Sequence, residues 1–597
     1  MPSLILGGKP LCFISSSGHK RFRRLTSGHI NGHDTLSKYI ETIEEVVFTT
    51  LEEWTRTDQP IEFYRGMNLF SKIEEPDLKP IAWSFQPFEE GSMNCPGADL
   101  AKLEISIFLY YFPLNYNVQY LVNGELLVLT RKVLPKWLEL NDEKLGKKQN
   151  PLPPGDMGWP FIGNMWSFLR AFKSQDPDSF INNLIKRHGR TSIYKTHLFG
   201  SPSVIVCSPE LCRKVLTDDE HFLFGYPSSA TQLGGKKSLY GISNSEHRRL
   251  RRLTTDPING HEALALYIGH IEDIVITSLE DLGGMNRPIK FFNEMKRIGF
   301  KVIAQIFLGS TQESVLSSMV KYYTELFPGV LSIPINLPGF AFHKALKARK
   351  KLVKTIQAEL YVRRAQKTMV PNRKKGMMDL LMEVKNENGE KLEDEHIIDL
   401  LLLILFAGHE TTAHTAMWAI IHLHDHPEML QKAKEEQEAI IKRRSSSQKG
   451  LTLTEIKQME YLPKVIDESL RRSNFAFSIF RKVEADVNIN GYTIPNGWKV
   501  LVWHRAIHMD PNIYSNPKEF LPSRWENHRF KARSFIPFGA GSRTCPGADL
   551  GKLEISIFLH YFLLNYKLEE VNPRGPINYL PLPRPADNCL ARIIKLP

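Results

Sequence analysis

Between Pro151 and Pro597 apolar residues recur mostly at helical spacing, and the long apolar stretch Ile397 to His422 predicts one extended helix. Glu428 to Arg443 is amphipathic at the same period. Thr452 with Glu455 forms a capping box for a short helix, the hydroxyl and the carboxylate each taking an N–H group that a first turn leaves without a partner. Pro463 suits the first turn of another helix, where its missing N–H is not needed, and that helix ends in basic Arg471 and Arg472. Strand signals are fewer and shorter: Ser201 to Cys207, Ala485 to Ile494 around an Asn-Gly turn, and Lys499 to Trp503. The leading PLPPGDMGWPFIGN is stiff, punctuated by Pro and Gly, and cannot be helical. This pattern predicts a mainly α domain with a minor β region over residues 151–597.

The residues ahead of that domain repeat parts of it. His19 to Glu52 parallels His247 to Glu280 at an offset of 228, and Cys95 to Phe112 repeats Cys545 to Phe562 with two differences at an offset of 450. Unequal offsets exclude a solenoid period. Residues 1–130 are therefore expected to be fragments of a truncated second copy rather than a functional domain, with 131–150 as a linker.

Composition narrows the class. The chain has 597 residues, 42% hydrophobic and 24% charged, enough for a large catalytic domain and unlike a disordered or fibrous protein. Six scattered cysteines without a CxxC pair argue against a disulfide framework or a zinc site of that kind and fit a reducing compartment. A formal charge of +12 favours an acidic partner, which charge alone does not identify. No run of about 18 uninterrupted apolar residues predicts a spanning helix, and the first twenty residues lack a signal-peptide core.

Chemistry concentrates in PFGAGSRTCPGADLGKLEISIF, which holds Phe538, Gly541, Arg543, Cys545 and Gly547. Glycines beside a single cysteine let the backbone approach a large flat ligand, and a helix starting just after Cys545 aims N–H groups at its sulfur, a setting that stabilises a thiolate. Glu468 and Arg471 lie three apart on one helical face and can pair. In FAGHETTAH, an acid and a hydroxyl, Glu410 and Thr411, sit inside the long apolar helix, which is costly unless each has a partner or a role. His409, Glu410 and His414 only superficially suggest a zinc protease, because histidines five apart point about 140° away from each other.

The FxxGxxxCxG spacing, the Glu-x-x-Arg pair followed by FLPSRW, and the AGHETT segment stand in the order seen in the cytochrome P-450 superfamily, which residues 151–597 resemble throughout. The resemblance implies that fold, with haem b between the long distal helix and the proximal cysteine loop and helix. Cys545 is then the axial thiolate to the haem iron. Arg543, Arg251 and Arg481 are expected to serve the propionates, with His247 in place of the usual aromatic of a W-x-x-x-R helix. Glu468, Arg471 and Arg524 become a buried structural cluster, and Thr411 and Glu410 position water and relay protons during oxygen activation.

The N-terminal copy keeps Phe88, Gly91, Cys95 and Gly97 but has Met93 where the complete copy has Arg543, and Glu89 and Glu90 intrude. That fragment is expected to enclose no haem. LPPGDMGWPFIGN, KVLTDD, DVNINGYTIP and RPADNCLARI resemble the plant clade containing ent-kaurenoic acid oxidases and β-amyrin 11-oxidases. This implies a monooxygenase that takes electrons from NADPH through a cytochrome reductase and oxidises an apolar polycyclic terpenoid with O2. Expected substrate contacts fall at Phe224 to Tyr240, near Phe406, at Phe475 to Phe480 and at Leu580 to Leu582. Arg248, Arg249 and Arg252 form the expected reductase dock, and the apolar loop and basic helix of Phe327 to Lys351 the expected membrane contact. The resemblance further implies a monomer on the cytoplasmic face of the endoplasmic reticulum. A peroxide-rearranging haem-thiolate enzyme would not need Glu410 and Thr411. A catalytically dead haem protein is the non-enzyme alternative, and no nucleic-acid recognition motif is present.

Overall fold

A computed structural model describes residues 150–597 except 159–162, 241, 286, 310–311, 370–375, 386–388, 390, 446–447, 527–533 and 573–574, together with strands Tyr116–Tyr120 and Leu127–Arg131. The chain divides into two compact units, 1–147 and 148–597. In the first, those two strands pair antiparallel from Tyr116↔Arg131 to Tyr120↔Leu127. Both N-terminal repeat segments, with Cys95 and Gly97, lie outside the described residues, as do Phe88, Glu89, Glu90, Gly91 and Met93 ahead of the second.

The second unit is mainly helical, with one large core between its helices and smaller ones on its sheet. Its principal helices are α1 (Asn244–Asn259), α2 (His261–Gly283), α3 (Phe291–Phe307), α4 (Glu313–Leu326), α5 (Ala341–Met369), α6 (Asp394–Asp425), α7 (Pro427–Arg443), α8 (Leu462–Arg472) and α9 (Ala548–Asn565). The predicted long helix is α6, whose Ile397, Leu400 to Leu403, Met417 and Ala419 to Ile421 are buried, so apolar residues occupy every face because protein surrounds it. On length and composition α6 could cross a membrane, contrary to the sequence expectation, because a mean hydropathy tolerates the few charges that break an uninterrupted run. Here 67% of that apolar window is buried inside the domain, as the central helix of a core.

The short helix Leu453–Lys457 carries the predicted capping box: Thr452 Oγ1 accepts from Glu455 N at 3.2 Å and Glu455 Oε2 from Thr452 N at 2.8 Å. At the start of α8, Glu436 on α7 accepts from the N–H groups of Glu460, Tyr461 and Leu462, a cap delivered from another helix. The largest sheet of the minor β region has five strands, β1 (Ile193–Leu198), β2 (Ser201–Val206), β3 (Phe222–Phe224), β4 (Ile479–Val483) and β5 (Lys499–Val502), in spatial order β1-β2-β5-β4-β3. Only β5–β2 is parallel, in register Lys499↔Ser203. The Asn-Gly hairpin forms between Val487–Ile489 and Tyr492–Ile494, with Asn490 and Gly491 both at positive φ, as a two-residue turn of this kind requires.

Candidate functional site

The loop Phe538–Gly547 leads into α9. Cys545 N donates to Phe538 O at 2.9 Å, closing the loop on itself. Gly541 sits at φ +75, and a Cβ there would lie 2.4 Å from Leu216 O, so neither its backbone nor its surroundings admit a side chain. Gly547 differs: its φ is −99 and a Cβ would meet no protein atom within 4 Å. Protein sterics therefore do not require glycine there, whereas a flat ligand lying over the loop would. Burial pushes the Cys545 thiol above its usual value, and the Gly547 N–H and Arg251, which pull the other way, do not outweigh it. A metal ion would be needed to remove the proton outright.

Three arginines converge beside this loop. Arg543 Nη2 donates to Asn244 Oδ1, and its guanidinium lies 4.0 Å from the Phe224 ring centroid. Arg481 is buried and lies 5.7 Å from the same ring. Arg251 Nη2 donates to Thr544 O at 2.5 Å, gripping the residue before Cys545. Arg543 Nε is 3.8 Å from Asp219 Oδ1, and Arg543 Nε and Nη1 are buried without a hydrogen-bond partner. Burial, then the charge of Arg481, pushes Arg543 down to about 10. His247, edge-on to Phe224 at 5.4 Å, is pushed down to about 4 by burial, then by Arg543 and Arg251. Buried like charges with open donors fit an anionic ligand bearing carboxylates.

Behind the loop, Glu468 organises the predicted cluster. Its Oε1 accepts from Arg471 Nη2 (2.8 Å), Arg524 Nε (3.0 Å) and Leu521 N (3.1 Å), and its Oε2 from Arg471 Nε (2.9 Å) and Trp525 Nε1 (3.1 Å). Arg471 Nη1 donates to His508 O at 2.7 Å, while His508 Nε2 accepts from Ile536 N at 3.2 Å. The cluster therefore reaches the cysteine loop through His508. Sequence reasoning missed both Trp525, next to Arg524 in FLPSRW, and His508.

On α6, Ala407 is exposed and Phe406, Gly408 and Thr411 are half-buried, while His409 and Glu410 between them are buried. That open face can receive a ligand. Thr411 Oγ1 donates to Ala407 O at 2.7 Å, and the next hydroxyl, that of Thr412, is 3.6 Å from where a Cβ on Gly551 of α9 would stand. Glu410 faces elsewhere: its Oε1 is 3.6 Å from Lys296 Nζ of α3 and its Oε2 3.6 Å from His409 Nε2. Lys296 gave no sequence signal beyond a charge in the apolar run FFNEMKRIGF. His409 Nδ1 bonds Leu405 O at 2.8 Å and His414 Nε2 bonds Pro583 O at 2.6 Å, so the two imidazoles have separate partners.

The expected substrate segments divide. Phe327 links Phe406 and Phe475 at centroid distances of 5.7 and 6.1 Å, forming an apolar wall beside α6. Phe477 and Phe480 instead pack in a core with Phe168, Phe172 and Trp503, and Leu582 is buried. Two residues that sequence reasoning passed over fix the 224–240 loop. Asp399 of α6 accepts from Arg349 Nη2 of α5 at 2.6 Å and from Lys237 N at 3.2 Å. Gly235, at φ +96, makes room for this carboxylate, since a Cβ there would stand 2.1 Å from Asp399 Cγ. In the expected dock Arg248 and Arg252 are exposed, whereas Arg249 pairs with Glu246 at 3.0 Å.

A cysteine on a glycine-bearing loop, a basic pocket suited to carboxylates and an open face on a long helix together make a site that could hold a haem. The Cytochrome P450 family model matches residues 153–585, and the chain belongs to the cytochrome P450 family: it is a monooxygenase whose cofactor is haem. It is 59% identical over 454 residues to 7,8-epoxymelianol synthase of Ailanthus altissima, covering 76% of this chain and 91% of that protein. It is 57% identical over 458 residues to beta-amyrin 11-oxidase of Glycyrrhiza uralensis (76% and 93%) and 53% identical over 493 residues to ent-kaurenoic acid oxidase 2 of Arabidopsis thaliana (82% and 99%). Among solved structures, a retinoic acid-bound cyanobacterial CYP120A1 superposes with a TM-score of 0.66 at 25% identity, covering 75% of this chain and all of that one.

Proposed function

We propose that the chain oxidises a C–H bond of a polycyclic triterpenoid, with ent-kaurenoic acid as the diterpenoid alternative. The observation that carries this reading is 57% identity, over 93% of its length, to an enzyme named for oxidising beta-amyrin. The aromatic wall of Phe327, Phe406 and Phe475 supports it, because an apolar ring system is recognised by apolar surface. The balanced reaction consumes one O2, one NADPH and one proton and yields the hydroxylated product, water and NADP+.

Haem, when bound, supplies the iron at which oxygen is activated. Cys545 Sγ would hold that iron as a thiolate, and Arg251, Arg481 and Arg543 would hold the carboxylates of the group. Thr411 donates its hydroxyl proton to Ala407 O, so its oxygen lone pairs are free to hold a water on the open face of α6. Glu410 is the second member of this relay; its carboxylate stands between Lys296 and His409 and would have to turn to pass a proton to that hydroxyl. Glu468, Arg471 and Arg524 keep the loop in place without touching substrate. Arg248 and Arg252 offer charge to an acidic reductase that relays electrons from NADPH. Ile333, Leu337 and Phe340 are 72%, 58% and 43% exposed ahead of basic α5, which supports attachment to the cytoplasmic face of an endoplasmic reticulum membrane. Residues 1–130 contribute nothing to this chemistry, and the domain works as a monomer.

The test is to supply β-amyrin and ent-kaurenoic acid in turn to the haem-loaded chain with a plant NADPH–cytochrome reductase and to identify products by mass spectrometry. Oxidised β-amyrin supports the triterpenoid reading and oxidised ent-kaurenoic acid alone the diterpenoid one. Turnover of neither, with a normal thiolate-type band in the carbon monoxide difference spectrum, overturns both.

A further inference from the structure

His414 takes no part in the chemistry described above, yet it is fully buried and lies three residues beyond Thr411 and four beyond Glu410 on α6. Its Nε2 is 2.6 Å from Pro583 O, at the tip of the hairpin formed by Ile577–Asn578 and Arg584–Pro585. Trp418 Nε1, one turn further along α6, lies 2.8 Å from the same carbonyl and 3.1 Å from His414 Nε2. The tautomer follows from these distances. Two lone pairs do not meet at 2.6 Å, so Nε2 carries the proton and donates to Pro583 O, and the indole N–H, which can only donate, shares that acceptor. Nδ1 is then bare and has no hydrogen-bond partner. Burial pushes the imidazole down to about 4, so near neutral pH the ring holds this single proton. One flank of the ring meets Phe475 edge-on at 5.7 Å and another meets Phe292 at 6.4 Å. His414 therefore touches both the aromatic wall and the hairpin tip, from the same helical turn as Glu410 and Thr411.

We propose that His414, with Trp418, is a positioning pair that fixes the hairpin tip Tyr579–Pro583 against α6 and, through the edge contact of the imidazole with Phe475, sets the aromatic wall relative to Thr411, thereby deciding which substrate carbon is presented to the oxygen-activating face. This rests on the terpenoid reading above for its substrate and on the two hydrogen bonds to Pro583 O for its geometry. A rigid ring system has few internal rotations, so a small shift of one wall relative to Thr411 moves the reacting carbon with it. Near-attack geometry tolerates little such displacement.

The test uses the full chain loaded with haem and compares His414→Phe, His414→Gln and Trp418→Phe with the parent. Phe keeps the ring volume and removes the donor; Gln restores an N–H at similar reach. Each variant is first checked for a full-height thiolate-type band, and two readouts follow. Amide hydrogen exchange across 577–585 is expected to rise about fivefold in His414→Phe, the effect of one lost hydrogen bond. It should return toward the parent in His414→Gln and rise also in Trp418→Phe. Product analysis with the terpenoid that the parent oxidises is expected to show a changed ratio of oxidised positions in His414→Phe at similar NADPH consumption, restored by Gln. Parent-like exchange and product ratio in His414→Phe would overturn the proposal, as would His414→Gln behaving like His414→Phe. If the parent oxidises no terpenoid, the substrate reading fails while the exchange readout still decides whether the hydrogen bond holds the hairpin.

Discussion

Replacing Glu468 by Gln tests the buried cluster most directly, because it removes one charge and changes almost no volume. The carboxylate accepts five hydrogen bonds, three at Oε1 and two at Oε2, from Arg471, Arg524, Trp525 and Leu521. An amide presents one acceptor oxygen and one NH2. Placing the NH2 at the Oε2 position sets Arg471 Nε and Trp525 Nε1 against another donor; the reverse placement does so for Arg471 Nη2, Arg524 Nε and Leu521 N. The smaller loss leaves two buried donors stranded, at about 1–3 kcal/mol each. Losing one partner of a buried ion pair independently suggests about 3–5 kcal/mol. The two routes agree on about 4 kcal/mol, a factor of roughly 10^3 in the folded-to-unfolded ratio. Because Arg471 also donates to His508 O, and His508 receives the Ile536 N–H, the loss should reach the cysteine loop. The assay is a urea titration followed by circular dichroism, with the carbon monoxide difference spectrum recorded on the same samples. A Glu468→Gln protein with the parent's urea midpoint and full thiolate-type band would refute the reasoning.

Four further outcomes are expected. Arg543→Leu should lower haem retention on dilution at least about tenfold, since it deletes the guanidinium with two open N–H groups, and a haem titration measures this. Asp399→Asn should loosen the 228–240 loop by about 2 kcal/mol, less than a fully buried pair because Arg349 is partly exposed; KM should rise more than kcat falls, with faster exchange confined to that loop. His247, His414, His504 and His560 are each pushed down to about 4, mainly by burial, and His508 is pushed well below its usual value, all under the unfolded value of about 6.5. A lowered histidine makes the unfolded state the better proton binder, so stability is full above about pH 6.5 and falls toward pH 4. The slope is about 1.4 kcal/mol per pH unit per group, and urea midpoints at pH 7, 6 and 5 should show it, with His560→Asn flattening the slope by at most about a fifth. Substituting Ile333, Leu337 and Phe340 together by Glu should cut binding to anionic phospholipid vesicles about 100-fold in a sedimentation assay.

Much of the fold was legible because its signals are local. The capping box at Thr452, the Asn490-Gly491 turn and Pro463 each act within one turn of the chain, and all three stand where the pattern placed them. The distal helix was legible for the same reason, although its ends extend a few residues beyond the apolar stretch, to Asp394 and Asp425. The Cys545 loop stood out by the spacing of its glycines and cysteine; helical spacing allowed Glu468 and Arg471 to pair, but only the resemblance, through the following FLPSRW, made that pair part of a buried cluster. Their chemistry was less legible. A helix beginning near Cys545 favours the thiolate, but desolvation opposes it and is the larger effect, which depends on how completely the rest of the domain covers the sulfur.

What the amino-acid sequence determined by itself was therefore the helical frame, the cysteine, the acid and hydroxyl of the distal helix, and the family order of these motifs. Only the tertiary structure decided their partners. Arg481 and Arg543 meet at Phe224 although they come from a strand and a loop, Lys296 reaches Glu410 from another helix, and the imidazole of His414 finds a carbonyl 169 residues away. The physical reason is that local conformation follows from neighbouring residues, whereas a buried polar group takes whichever partner close packing brings within about 3 Å, and that choice is made by the whole core at once.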